Sequence, residues 1–223
     1  MPISLDKQLI HVRIPNESDP TVAEAINLPD NEHHGVSYYL DKYSNSFTGT
    51  KKFCIVRNTW DRFTFFFELI KENAEFIDHD KLKDMSFEEF LTDFEANRNS
   101  YGNPCWHPQT AWFWTQYGPV INHIFVEDPE FLETPQVTPL ADQINLFLKI
   151  EAEIPEVDRE AAARRREMYY TSQELVDRVT KLYEQEIKAL SFVYESTADL
   201  EFSESDLNIL EANSEDLESL TQE

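Results

Sequence analysis

Four consecutive apolar residues, Phe53-Cys54-Ile55-Val56, stand just ahead of a dense apolar stretch at 60–72, and this pairing constrains the fold more than any other feature of the sequence. A strand with one wet face alternates apolar and polar residues. An uninterrupted run of this length belongs to a strand buried on both faces, the habit of parallel sheets. The spacing predicts a helix over 60–72 whose apolar residues, Trp60, Phe63, Phe65, Phe66 and Phe67 among them, nearly surround it, so it must be deeply packed. A strand followed by a buried helix is the opening of a βα unit.

The rest of the chain continues that alternation. Residues 9–14 (LIHVRI) predict a first strand closed by Pro15, and 120–127 a third strand. Asp19-Pro20 offers an N-cap and an N1 proline for a short helix to Ile26, after which 27–31 is a turn, 36–43 a second short helix and 44–50 a loop. Ser86 and Glu89 form a capping box that opens a helix to about Ala96. Residues 99–108 read as a loop, 109–114 as helix or strand, and 140–153 as a helix. A second capping box, Thr171 with Glu174, opens a helix carrying Leu175, Val179, Leu182, Tyr183, Ile187 and Leu190 on one face. The expectation is one α/β domain over 1–194, a parallel sheet covered by helices on both sides.

With 43 acidic residues against 19 basic ones the formal charge is −24, and ten of the acids lie between Glu195 and Glu223, where no Lys or Arg occurs. Such a surface repels nucleic acid, anionic membranes and polyanionic polysaccharides. The segment 195–223 reads as a solvated, flexible acidic tail, with docking of a basic protein partner as the alternative. No stretch approaches the roughly 18 apolar residues of a membrane span and the N-terminus lacks a signal-peptide pattern, so a cytoplasmic protein is expected. Cys54, within the apolar run, reads as a buried reduced thiol, and neither cysteine has partners at metal-site spacing.

The segment Val56-Arg57-Asn58-Thr59-Trp60-Asp61-Arg62 resembles the strand-to-helix signature V-R-N-P-W-D-R of the sulfotransferases related to carbohydrate sulfotransferases, with Thr59 in place of the proline. Trp106-His107-Pro108-Gln109 is similar to the family's H-x-P-Q stretch, 124–127 to its strand ending in an acid, and Tyr169-Tyr170-Thr171 with Phe192-Val193-Tyr194 to its closing helix and final F-G-Y. The likeness spans about residues 8–194 and implies a P-loop-like three-layer sandwich. It also implies transfer of a sulfuryl group from 3′-phosphoadenosine 5′-phosphosulfate to a hydroxyl of a small-molecule or carbohydrate acceptor. The compact form looks like bacterial or phage-encoded members.

Sulfuryl transfer spreads negative charge over the leaving phosphate and the moving oxygens, so it needs positioned cations and N–H donors. The resemblance implies that Arg57 holds the 3′-phosphate, that the first loop, with Asn16 and Thr21, faces the donor's other end, and that His33 or His34 is the general base; Arg62 and the compact basic patch Arg164-Arg165-Arg166, read as an anion pocket, complete the candidate co-substrate set, with no metal. Two departures bear on catalysis. In the loop Ile14-Pro15-Asn16-Glu17-Ser18-Asp19-Pro20-Thr21, Asn16 replaces the family's lysine, both glycines are missing, and Glu17 and Asp19 add like charge beside an anionic donor. The serine that would hold the 3′-phosphate falls on Phe65. Loss of a transition-state cation costs on the order of 10²–10³ in rate. A non-catalytic descendant, kept as a binding or structural protein, is therefore the second expectation. Other readings stand beside these: a solvated, Glu-paired helix face for Arg164–Arg166, exposed loop residues for His33 and His34, a scaffold ion pair for Asp61 and Arg62, and structural packing among the tryptophans for His107.

Overall fold

The computed structural model describes residues 3–4, 9–15, 22–24, 33–47, 49–116, 118–127, 132, 138–149 and 158–194. Two short strands, β1 (Ile3–Ser4) and β2 (Leu9–His11), lead to helices α1 (Val36–Lys42) and α2 (Ser44–Phe47). Strand β3 (Lys51–Val56) runs into the long helix α3 (Thr59–Glu72), followed by α4 (His79–Leu82), α5 (Phe87–Asn97) and α6 (Thr110–Phe113). A small hairpin, β4 (Trp114–Thr115) with β5 (Gly118–Pro119), precedes β6 (His123–Val126). Helices α7 (Leu140–Leu148), α8 (Arg159–Tyr169), α9 (Gln173–Leu182) and α10 (Glu184–Leu190) complete the described chain.

The main sheet has the order β1-β2-β3-β6; β2, β3 and β6 are parallel and β1 is an antiparallel edge. Strand β3 lies between its two parallel neighbours with a core on each face, and the latter explains why its apolar run is continuous. Alternation along it feeds two cores. Phe53 and Ile55 pack with Leu9, Phe125, Leu140 and Ile144, while Cys54 and Val56 join Ile10, Val12, Val126 and the aromatic face of α3. The sheet is thus covered on both faces, as the unbroken FCIV run requires.

Helix α3 begins where Asn58 accepts the N–H groups of Trp60 (3.1 Å) and Asp61 (3.3 Å), an N-cap that ends the strand and aims the helix back across the sheet. From it Phe63 meets Phe90, Phe94, Trp106 and Tyr183, with ring centroids 5.3–5.8 Å apart. Each such ring contributes about 1.5–3 kcal/mol through burial. Ser86 and Glu89 do form the expected capping box at α5.

Several expectations are corrected. The 44–50 segment contains the turn of helix α2, and 109–114 holds both α6 and the start of β4. Helix α7 stops at Leu148, with Lys149 left-handed at φ 56°, short of the expected Glu153. Thr171 is not an N-cap: α9 starts at Gln173 behind an extended Ser172, which makes no side-chain cap. The closing helix is two helices, because Tyr183 (φ −120°, ψ 22°) leaves the helical region and anchors its hydroxyl on the Trp106 carbonyl at 2.8 Å. Of the helix expected after Asp19-Pro20, residues 22–24 are helical; the remainder, with Asn16, Thr21 and the acidic tail 195–223, lies outside the described residues.

Candidate functional site

In open parallel sheets, ligands are received beyond the carboxyl ends of the strands. Here that edge is formed by Pro15 after β2, Arg57 and Asn58 after β3, and Glu127 after β6. Arg57 is fully buried. Its Nε donates to Asp61 Oδ2 at 2.5 Å and lies 3.5 Å from Glu127 Oε2. Asp61, in the first turn of α3, also faces Arg165 of α8, whose Nε is 3.4 Å from its Oδ1. Phe65 closes the group: both guanidiniums lie over its ring, at 5.0 Å for Arg57 and 5.2 Å for Arg165. Two cations and two carboxylates are thus folded together under an aromatic lid.

The backbone of Arg57 is held as firmly as its side chain. Gln109, wholly buried ahead of α6, accepts the Arg57 N–H at 2.8 Å and donates to the Arg57 carbonyl at 2.9 Å. Gln109 is itself fixed by Glu186 of α10, which accepts its backbone N–H, its side-chain amide (3.0 Å) and the Thr59 hydroxyl (2.7 Å). A buried amide satisfied on both sides, and a buried carboxylate with three donors, are polar groups whose desolvation is offset in place.

Arg62 sits beside this cluster in a different role. Its Nε donates to the Pro15 carbonyl (3.1 Å) and Nη1 to the His107 carbonyl (3.4 Å), with Phe66 beneath the guanidinium at 5.4 Å. It ties the end of β2 to the loop before α6. The three consecutive arginines of α8 separate: Arg165 enters the cluster, Arg164 is exposed and lies 3.7 Å from Glu160, and Arg166 is half-buried. A helix turns 100° per residue, so adjacent positions cannot share one face.

His33 is half-buried, its Nδ1 3.3 Å from the Arg13 carbonyl and its ring edge-on to Trp112. His34 is stacked on Tyr38 with centroids 3.7 Å apart. Both therefore lie in packed contacts rather than in a bare loop. His107 is exposed, and its backbone carbonyl, not its ring, does the structural work; packing among the tryptophans was the wrong expectation. Cys54 and Cys105 are both buried, and burial pushes the Cys105 thiol well up, so it stays protonated. Among the described residues no group of three or more His, Cys, Asp or Glu is placed to hold a metal ion, and no helix is long and apolar enough to cross a membrane.

Arg57, Asp61, Gln109 and Glu127 all belong to the motifs that carry the resemblance. Glu186 belongs to none of them, although the sequence holds a signal for it. It lies three residues after Tyr183 and four before Leu190, which places a carboxylate on the buried stripe of the helix. Comparison with known proteins finds no matching family model, no matching curated protein and no matching solved structure.

Proposed function

We propose that this chain is a sulfotransferase-like protein of P-loop-like three-layer design whose donor corner has become an internal ion cluster, leaving it a binding or structural protein rather than a transferase. One observation carries the reading. The guanidinium that would receive a 3′-phosphate is buried, engaged by Asp61 and Glu127, and covered by Phe65, the residue standing where the family has a serine donor. A phosphate would have to displace two carboxylates and a ring from a dry site to reach it. The substitutions in the first loop, Asn16 for lysine above all, act in the same direction.

The competing reading is sulfuryl transfer from 3′-phosphoadenosine 5′-phosphosulfate to an acceptor hydroxyl, with His33 or His34 as base. It is favoured by the gathering of Arg57, Arg62 and Arg165 near the carboxyl edge of the parallel strands, where the resemblance puts the nucleotide. Isothermal titration with 3′-phosphoadenosine 5′-phosphate separates the two. The proposal expects no binding heat up to millimolar nucleotide. Saturable binding, or sulfate transfer by the unmodified chain, overturns it.

A further inference from the structure

Away from the sheet edge, two adjoining hollows run along α5. The first, of about 540 Å³, lies between the C-terminal half of α3, the start of α5 and the junction of α8 with α9; the second, of about 640 Å³, continues along α5 to Ala96. Ser86 and Glu88 line both, so the hollows meet at the start of α5. The floor of the first is apolar, with Phe67, Phe87, Tyr169 and Leu175, and Met168 stands on its rim at 61% exposure.

Carboxylates follow this path turn by turn: Glu68 and Glu72 from α3, then Glu88, Glu89 and Asp93 from α5. Glu68 is engaged by the Tyr169 hydroxyl at 3.0 Å, and Asp93 by the Tyr101 hydroxyl at 2.7 Å and by Lys81 at 3.4 Å. Among the described residues Glu72 and Glu88 enter no ion pair. The lysines on the rim are committed elsewhere, Lys83 to Asp80 at 2.7 Å and Lys71 to the Met85 carbonyl at 2.5 Å. Lys71 also shows what this floor accepts, for its ammonium lies 5.4 Å from the centroid of Phe67. The ten-residue advance from Ser86 to Ala96 is about 15 Å along a helix axis, the length of about five residues of extended chain.

We propose that this groove is a docking site for a basic, partly apolar peptide segment of a partner protein, its Lys or Arg side chains meeting Glu72 and Glu88 and its apolar side chains lying on Tyr169 and Met168. Length favours a polypeptide over a small amine, and the unpaired carboxylates set the sign of its charge. The site shares no residue with the Arg57 cluster, so it stands whether or not that cluster binds nucleotide.

The test uses the full chain, labelled at the methionine methyls, and a fluorescein-tagged hexapeptide of alternating Lys and Leu. Binding read by anisotropy is expected to shift the Met168 methyl resonance. It should weaken about fivefold to thirtyfold in a Glu72→Gln/Glu88→Gln double variant, whose exposed substitutions leave the core intact. Four results would overturn the proposal: no binding at millimolar peptide, equal affinity in the double variant, binding that leaves Met168 unmoved, or equally effective competition by spermidine. The third would put the peptide on another acidic segment, and the last would reduce the effect to a counter-ion atmosphere.

Discussion

Asp61 has two cationic neighbours and no exposure to water, so its removal takes away the carboxylate that Arg57 and Arg165 share in a buried site. Breaking such a set by deleting one member costs about 3–5 kcal/mol, because a charge stays behind in a poorly solvating place. Asp61→Ala should therefore lose about that much stability in urea denaturation, and Asp61→Asn less, since the amide still accepts a hydrogen bond. Gln109→Ala removes both hydrogen bonds that Gln109 makes to the Arg57 backbone, and a loss of about 2–4 kcal/mol is expected by the same measurement. If either alanine variant stays within 0.5 kcal/mol of the parent, about the range of surface substitutions, the cluster does not hold the corner together. Residues at this scale were unevenly legible. Motif order pointed at Arg57 and Gln109, but nothing in one dimension shows that Asp61 would turn inward to Arg57 while Arg62 reached for carbonyls. That choice is made by the 100° step between neighbours on α3, against partners 45 to 104 residues away.

The cap of α5 belongs to the scale of elements. Ser86 accepts the Glu89 N–H while Glu89 receives the Ser86 N–H and hydroxyl, and these bonds hold the Glu89 carboxyl below its ordinary value. Asp93, further along α5, is also lowered, chiefly by the Tyr101 hydroxyl and then by Asn97. Both groups bind protons less readily in the fold than in the unfolded chain. Their contribution is complete above the ordinary carboxylate range near pH 4 and is lost as pH falls through the lower folded values. Ser86→Ala should cost about 1 kcal/mol at pH 7, and its stability should decline less between pH 5 and pH 3 than that of the parent; urea midpoints at the two pH values decide it. Helix existence was readable from such caps and from apolar stripes. The break at Tyr183 was not, because the stripe of Leu175, Val179, Leu182, Tyr183, Ile187 and Leu190 continues across it. The hydroxyl that pulls Tyr183 out of line meets a carbonyl 77 residues away.

The whole molecule carries a formal charge of −24, and folding brings those charges closer together than the unfolded chain holds them. Screening should therefore favour the fold: raising NaCl from about 20 mM to about 0.2 M is expected to raise Tm. A fall in Tm would mean that attractive surface pairs outweigh the general repulsion. At this scale the sequence spoke most clearly through FCIV, since such a run needs side chains packed on both faces of its strand, and the two cores on either side of β3 supply them.

The ties at Arg57 also impose an order on assembly. Gln109 lies 52 residues beyond Arg57, Arg165 lies 104 beyond Asp61, and Glu186 is 77 beyond Gln109. A chain emerging from the ribosome as far as β6 already owns its three parallel strands, yet Asp61 lacks its second cation and Gln109 lacks the carboxylate that orients it. Closure of the corner must wait for α8 and α10, whose loops are the costliest to draw in. The Arg57 amide should then exchange its proton only when the entire domain opens, making it a sentinel for completion of synthesis and folding alike.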